Sequence, residues 1–342
     1  MARFRLKSKA GAQAGRQDKP ALPSITHPCV FIPQVPSITE DTNAAVQQLA
    51  GHKVWDSMEQ LNEHLRGLME GGALDEALKA PDSPKQQARM RAGQALRTNN
   101  LDESRRIAGE ALAIDPECVD AQLAQVEFGE DASIPRYHEI IEIGRRELDP
   151  SLFEKQRGNF WGIHETRPFL RALQHLAVTC LWREQFEQAT AACEEILDLN
   201  RQDNLGVREI LLTLYLRERN RDKGAALIAR FPHVESAAWN WGIFLYESLY
   251  GTETSRRAAL ADAMRVNSHA VMRVLGMEPV ESLHVDAIAG SVEEADNAAL
   301  LLARALENGT EEMVTWLLEH IRETVDAKGS GGGGNKKSKR TH

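Results

Sequence analysis

Small residues recur at Ala88, Ala92 and Ala95, and after the turn Asn99-Asn100 they recur at Ser104, Ala108 and Ala111. Spacings of three and four predict two short helices whose facing sides carry little bulk, so that the two backbones approach closely. The second helix runs into Ile114-Asp115-Pro116, where the proline stops it. Leu148-Asp149-Pro150 lies 34 residues further on, and Leu199-Asn200-Arg201 a further 51. A helical hairpin returning after 34 residues is the signature of tetratricopeptide repeats. The longer second interval implies about 17 inserted residues, around 151–167, covering the unusual stretch 156–166.

Helical patterning continues in pairs, roughly 168–182 with 185–198, 204–218 with 221–230, and 235–249 with 254–267. Each pair is too thin to bury its apolar face alone, so stacking is required. A loop is expected over 277–290, then a helix whose start at Ser291 has Glu294 three residues on, the pattern of a capping box. Asn308-Gly309 ends that helix, and a last amphipathic one is expected from Thr310 to about Thr324. The fold predicted is all-α, a tetratricopeptide-like helical-hairpin solenoid with an irregular N-terminal arm and a disordered basic C-terminal tail. Its divisions are a basic, proline-rich arm over 1–40, a helical segment over 41–82, the solenoid over 83–276, a loop with a capping helical pair over 277–327, and the tail over 328–342. Val30, Phe31, Ile32 and Val35 form a short apolar patch within the arm, suited to lying along the body as a strand or extended strip.

Charge changes the picture more than composition does. The net charge is −9, but residues 1–20 carry six Lys or Arg against one acid and residues 328–342 five against none, which leaves residues 21–327 at −19. An acidic body disfavours nonspecific nucleic-acid binding by the body itself and favours a basic protein partner, while the tails are suited to loose phosphate contact. Cys29, Cys118, Cys180 and Cys193 have no CxxC pairing and read as reduced thiols, the last two in the core of adjacent helices. The N-terminus lacks the apolar stretch of a secretory signal and no segment has about 18 uninterrupted apolar residues, so the expectation is a cytoplasmic protein without a membrane span.

Catalytic signatures are lacking. His164-Glu165 and His138-Glu139 have no second histidine at zinc-peptidase spacing, and no P-loop, dinucleotide fingerprint or Gly-x-Ser-x-Gly elbow is present. The sequence implies a non-enzyme, with no cofactor and no metal.

The stretch from Gly158 through Phe160, Trp161, Gly162, Glu165, Thr166, Arg167 and Pro168 to Arg171 does not follow from repeat packing. Thr166 reads as an N-cap with Pro168 in the first helical turn. Downstream, Leu199, Asn200, Asp203, Asn204, Gly206 and Arg208 introduce the next helix, with Asp203 or Asn204 as its cap. With these blocks the chain resembles a bacterial family of tetratricopeptide proteins related to the eukaryotic suppressor of tumorigenicity 7 family, over about residues 84–276. Its pattern is Phe-Trp-Gly, Glu-Thr-Arg-Pro, an Ala-rich helical pair, then Leu-Asn, Asp-Asn, Gly and Arg. Phe169, Leu170, Arg201 and Leu205 depart from it, the first losing a phenolic hydroxyl. The resemblance implies a repeat scaffold and no catalytic residues.

Two readings of these blocks stand side by side. In one, the aromatics plug the gap left by the insertion while Glu165 pairs with Arg167, and Asn200, Asp203, Asn204 and Arg208 cap and bridge helices. In the other, Phe160, Trp161, Glu165, Arg167, Arg171, Asn200, Asp203, Asn204 and Arg208 contact a partner. The function expected is a non-catalytic protein-binding scaffold using the concave face, the alternative a nucleic-acid- or ribosome-associated protein using its basic tails.

Overall fold

A computed structural model describes residues 33–37, 40, 42, 57–72, 83–280, 283–284, 287–306 and 313–320. Every regular element among them is a helix, apart from one isolated antiparallel bridge between Asn159 and Asn200. Most of the arm and all of the basic tail lie outside the described residues. The chain divides into two compact units, with the boundary between Leu211 and Leu212.

The first unit holds α1 (Met58–Glu70), α2 (Pro84–Arg97), α3 (Leu101–Ile114), α4 (Val119–Gln125), α5 (Ser133–Glu147), α6 (Pro150–Lys155), α7 (Arg167–Trp182) and α8 (Phe186–Leu199). The helix α9 (Arg208–Arg217) crosses the boundary. Both ends of the first hairpin fall where the sequence puts them because polar caps define them. Ser83 Oγ accepts from Gln86 N at 3.2 Å, and Asn100 Oδ1 accepts from Glu103 N at 3.0 Å. The small residues do face one another: Ala88, Ala92, Ala111, Cys118 and Ala121 form one buried cluster, and Ala95, Ile107, Ala108 and Ala124 a second. So α2 and α3 pack together and α4 closes over both.

From α4 the packing passes to α5 and α7, and α8 lies against α7. The helix α7 is central, with 13 of its 16 residues buried. Gly144 on α5 permits this crossing, since a Cβ there would stand 3.1 Å from Phe169 Cδ2 and 3.4 Å from Val119 Cγ2. Cys180 on α7 and Cys193 on α8 are fully buried, as the sequence suggests. Burial pushes the Cys118 and Cys180 thiols up to about 12 and Cys193 higher still, so all three stay protonated and weakly nucleophilic.

The second unit contains α10 (Arg221–Arg230), α11 (Ala237–Tyr250), α12 (Glu253–Val266), α13 (Ala270–Val274), α14 (Val292–Leu306) and helical residues 313–320. Here α11 is the hub, packed by α10, α12 and α14, with Trp239 and Trp241 buried. Trp241 Nε1 donates to Asn267 O at 2.9 Å, which gives the buried indole its one required acceptor. The capping box expected at Ser291 is half formed. Ser291 Oγ accepts from Glu294 N at 3.2 Å, but the Glu294 carboxylate accepts from Ala237 N at 3.0 Å, Asn267 Nδ2 at 3.0 Å and Gly290 N at 2.7 Å. It serves three orphan donors of other segments, a demand that outweighs closing the box locally.

The α5–α7 contact is testable by a pair of glycine substitutions. Gly144→Val overpacks it and is expected to cost about 1–3 kcal/mol. Gly109→Ala on the exposed face of α3, where the nearest atom to a new Cβ is 3.9 Å away, is expected to stabilise by about 0.5–1 kcal/mol. Urea denaturation of both variants gives the signs, and equal effects would remove the close-approach argument.

Candidate functional site

Three-residue 3-10 turns at Phe160–Gly162 and His164–Thr166 lead into α7. Phe160 is completely buried, edge-on to Phe153 at 5.1 Å between centroids, so it plugs the core beneath the inserted stretch. Thr166 stands at the N-cap position but does not cap α7. Its backbone is already helical, and its hydroxyl turns back to donate to Phe160 O and to Ile163 O, tying the two 3-10 turns together. Pro168 in the first turn then costs no hydrogen bond, as expected from its place.

One turn into α7 sits Arg171, 2% exposed although it carries a full charge. Its guanidinium forms a two-pronged pair with Asp120 on α4, Nε to Oδ1 at 2.9 Å and Nη2 to Oδ2 at 2.6 Å. Nη1 donates to Glu40 Oε2 at 3.0 Å and to Oε1 at 3.3 Å. Burial works against the guanidinium charge, but the two carboxylates outweigh it and hold its pKa above the ordinary value. Arg167, a turn earlier, approaches Glu40 Oε1 at 3.5 Å, donates through Nε to Trp161 O at 2.8 Å, and stacks over the Trp161 ring at 4.9 Å. The local Glu165–Arg167 pairing considered from sequence is therefore not formed. Arg167 turns to Glu40 and Trp161, while Glu165 is exposed.

Residues 33–37 run beside this pair with no regular structure, and Pro33 and Pro36 are buried. Gln34 N donates to Gln174 Oε1 at 2.8 Å, and Gln34 Nε2 to Asn204 O at 2.9 Å. Arg97 Nη1 of α2 donates to Pro36 O at 3.1 Å. Gln174 spends its own amide on Leu205 O at 3.0 Å. Of the apolar patch expected to lie along the body, Val35 falls within this irregular stretch, while Val30, Phe31 and Ile32 lie outside the described residues.

The second block is built around Asp203, whose φ of 53° turns the chain into α9. Its carboxylate accepts from Val207 N at 2.9 Å and Arg208 N at 3.0 Å, and pairs with Arg208 Nη1 at 3.0 Å. The N-cap position is Val207, whose carbonyl accepts from Leu211 N at 2.9 Å, and Asp203 braces the helix start from four residues before it; Asn204 is exposed and contributes its carbonyl to Gln34. Asn200 is 1% exposed and bridges to Asn159, while Arg201 N donates to Gly158 O at 2.9 Å, which fastens the insertion to the end of α8.

Of the residues singled out by sequence, Arg167 and Arg171 come together on Glu40, and Trp161 packs against Arg167. Phe160, Asn200 and Asp203 are enclosed in packing, bridging and bracing the start of α9, Arg208 joins Asp203, and Glu165 and Asn204 face solvent. Sequence reasoning missed Asp120, Glu40, Gln34, Gln174 and Arg97. Asp120 did carry a signal, an acid among the buried Val119, Ala121, Leu123 and Ala124 of a seven-residue helix. Among the described residues no group of three His, Cys, Asp or Glu is arranged to hold a metal ion, and no helix is long and apolar enough to cross a membrane. Comparison of the chain with protein-family models, with curated proteins and with solved structures finds no match.

His175 follows on α7, with its ring 5.6 Å from Phe128 and 5.5 Å from Tyr137. Burial, seconded by Arg171 and opposed by Asp120, pushes its pKa from 6.5 down to about 3. The unfolded chain therefore takes up this proton first as pH falls. Stability from a neutral His175 is complete above the unfolded value and declines as pH falls from there toward the folded one. Between pH 7 and pH 5 the parent is expected to lose about 1–2 kcal/mol more than His175→Phe, which keeps the ring but has no proton to bind. Urea titrations of both chains at the two pH values measure that difference, and parallel losses would contradict it.

Removing Arg171 leaves Asp120 charged and buried. Arg171→Ala is expected to cost about 3–5 kcal/mol, whereas Arg171→Met with Asp120→Leu costs much less, because no buried charge is left alone. Thermal and urea unfolding of the two variants decides; equal losses would mean the pair is not what holds α4 to α7.

Proposed function

We propose that this protein is a non-catalytic scaffold that binds an extended segment of another protein, on a stack of helical hairpins of the tetratricopeptide type related to the suppressor of tumorigenicity 7 group, and that it works in the cytoplasm. The observation that carries the reading is the seating of residues 33–37 and Glu40 on the first unit. Residues 33–37, without regular structure, are held there through their own backbone, by Gln174 and Arg97, and the helical Glu40 through its carboxylate, by Arg167 and Arg171. A surface that holds one extended chain by main-chain hydrogen bonds has the chemistry to hold others, since those bonds do not depend on side-chain identity.

Trp161 supports the same reading. It is half-buried, packed under the Arg167 guanidinium, and so offers an aromatic edge beside a charged one, the pairing that dominates protein interfaces. The hairpin pairing of α2 with α3, α7 with α8 and α11 with α12 agrees with a repeat scaffold.

The test is recovery of the tagged full chain from its native cells after nuclease treatment, with cross-linking to locate the contact. A defined protein partner cross-linked near Trp161 and reduced about tenfold or more by a folded Trp161→Ala variant, a loss of about 1.4 kcal/mol or more, is the expected result. Recovery that vanishes with nuclease, or with deletion of residues 328–342, would replace this reading by one in which the basic tails hold nucleic acid.

A further inference from the structure

Residues 33–37, without regular structure, and Glu40, which is helical, make contacts with the composition of a ligand and not of a core element. Gln34 and Glu40 reach partners 127 to 170 residues away in sequence, and Arg97 reaches Pro36 across 61. Pro33 and Pro36 fix their own φ and bias the preceding residues toward extended backbone, so the segment is pre-shaped before it docks. Its hydrogen bonds to the body include main-chain ones at Gln34 N and Pro36 O, one side-chain bond from Gln34, and those of the Glu40 carboxylate.

Charge says what any occupant must bring. Arg167 and Arg171 face two carboxylates, Asp120 from the helical body and Glu40 from the arm. His164 also senses Arg167, Glu40, Glu165 and Arg171, but burial lowers its pKa and keeps it neutral near pH 7. With Glu40 withdrawn, two guanidinium groups are left against the single buried Asp120. An uncompensated cation at a half-buried site selects an anion in its place.

We propose that residues 33–37 together with Glu40 are a tethered occupant of this face, and that the partner replacing them is a segment of another protein with an extended, proline-containing stretch followed by one carboxylate presented to Arg167 and Arg171. This rests on the scaffold reading above and adds the partner's chemistry and its regulation. It also runs opposite to the basic partner suggested by the net charge of the body. The arm holds its own face at an effective concentration of about millimolar, so an external segment binds in proportion as the arm is weakened.

The probe is a fluorescein-labelled, C-terminally amidated peptide of residues 31–40, whose one side-chain carboxylate is that of Glu40, and a second with glutamine in place of that glutamate. Each is titrated by anisotropy into the full-length parent and into a Gln34→Ala, Glu40→Gln variant whose helical circular dichroism is intact. The variant is expected to bind the acidic peptide at least about tenfold tighter than the parent does, and about tenfold tighter than it binds the glutamine peptide. Adding Arg167→Ala, which spares the Arg171–Asp120 pair, is expected to erase most of the preference between peptides. A folded double variant that binds no tighter than the parent overturns the proposal. So does a double variant that fails to fold, because the arm is then part of the body and not an occupant. If a cross-linked protein partner is retained equally by parent and double variant, the scaffold reading stands and this face is not where the partner binds.

Discussion

A guanidinium group buried to 2% exposure imposes more on this chain than any apolar contact does. Desolvating a charge costs several kcal/mol unless carboxylates and hydrogen bonds surround it. Arg171 therefore dictates where Asp120 must stand, and with it the register of α4 against α7. It also requires a second acid, which comes from Glu40, so the course of the arm is tied to the same atom group. Gln174, three residues on and on the same side of α7, then meets Gln34. His175 beside it stays neutral because burial and the Arg171 charge both oppose a further proton.

The first hairpin was legible because its information is local. Small residues at helical spacing, the turn Asn99-Asn100 between the helices and Pro116 after the end of α3 set α2 and α3 without help from distant residues. Where a position answers to a distant demand, local reasoning fails in an identifiable way. Thr166 has the residue type of an N-cap but spends its hydroxyl on the 3-10 turns that the inserted residues need. Glu294 has capping-box spacing but satisfies donors at Ala237 and Asn267. Asp203 does serve the start of α9, though from four residues before the N-cap position, because both donors lie within five residues of it.

The site was half legible for the same reason. Trp161, Arg167 and Arg171 announce themselves as residues out of place in a repeat, and they do converge. Their partners could not be read, since Asp120 lies 51 residues from Arg171 and Glu40 lies 131. A single sequence holds no signal for such a pairing beyond an acid set among buried neighbours, which Asp120 shows and Glu40 does not. Phe160 and Asn200 looked equally distinctive but answer to packing and to the Asn159 bridge. Residue type alone does not separate a side chain that closes a core from one that meets a ligand.

Net charge and site charge act over different distances, and that resolves the tension between an acidic body and a face that selects a carboxylate. The −19 of residues 21–327 acts through solvent, is screened beyond about 10 Å at moderate salt, and bears chiefly on how often charged partners arrive. Arg167 and Arg171 act at contact, where low dielectric and fixed geometry make one correctly placed acid worth more than many distant ones. A polyacidic segment would be repelled before it docked, and a purely basic one would meet two guanidinium groups on arrival. What both constraints admit is a segment of low or positive overall charge with one acid at the right place. The arm itself has that composition, with six basic residues against one acid in its first twenty and a glutamate at position 40.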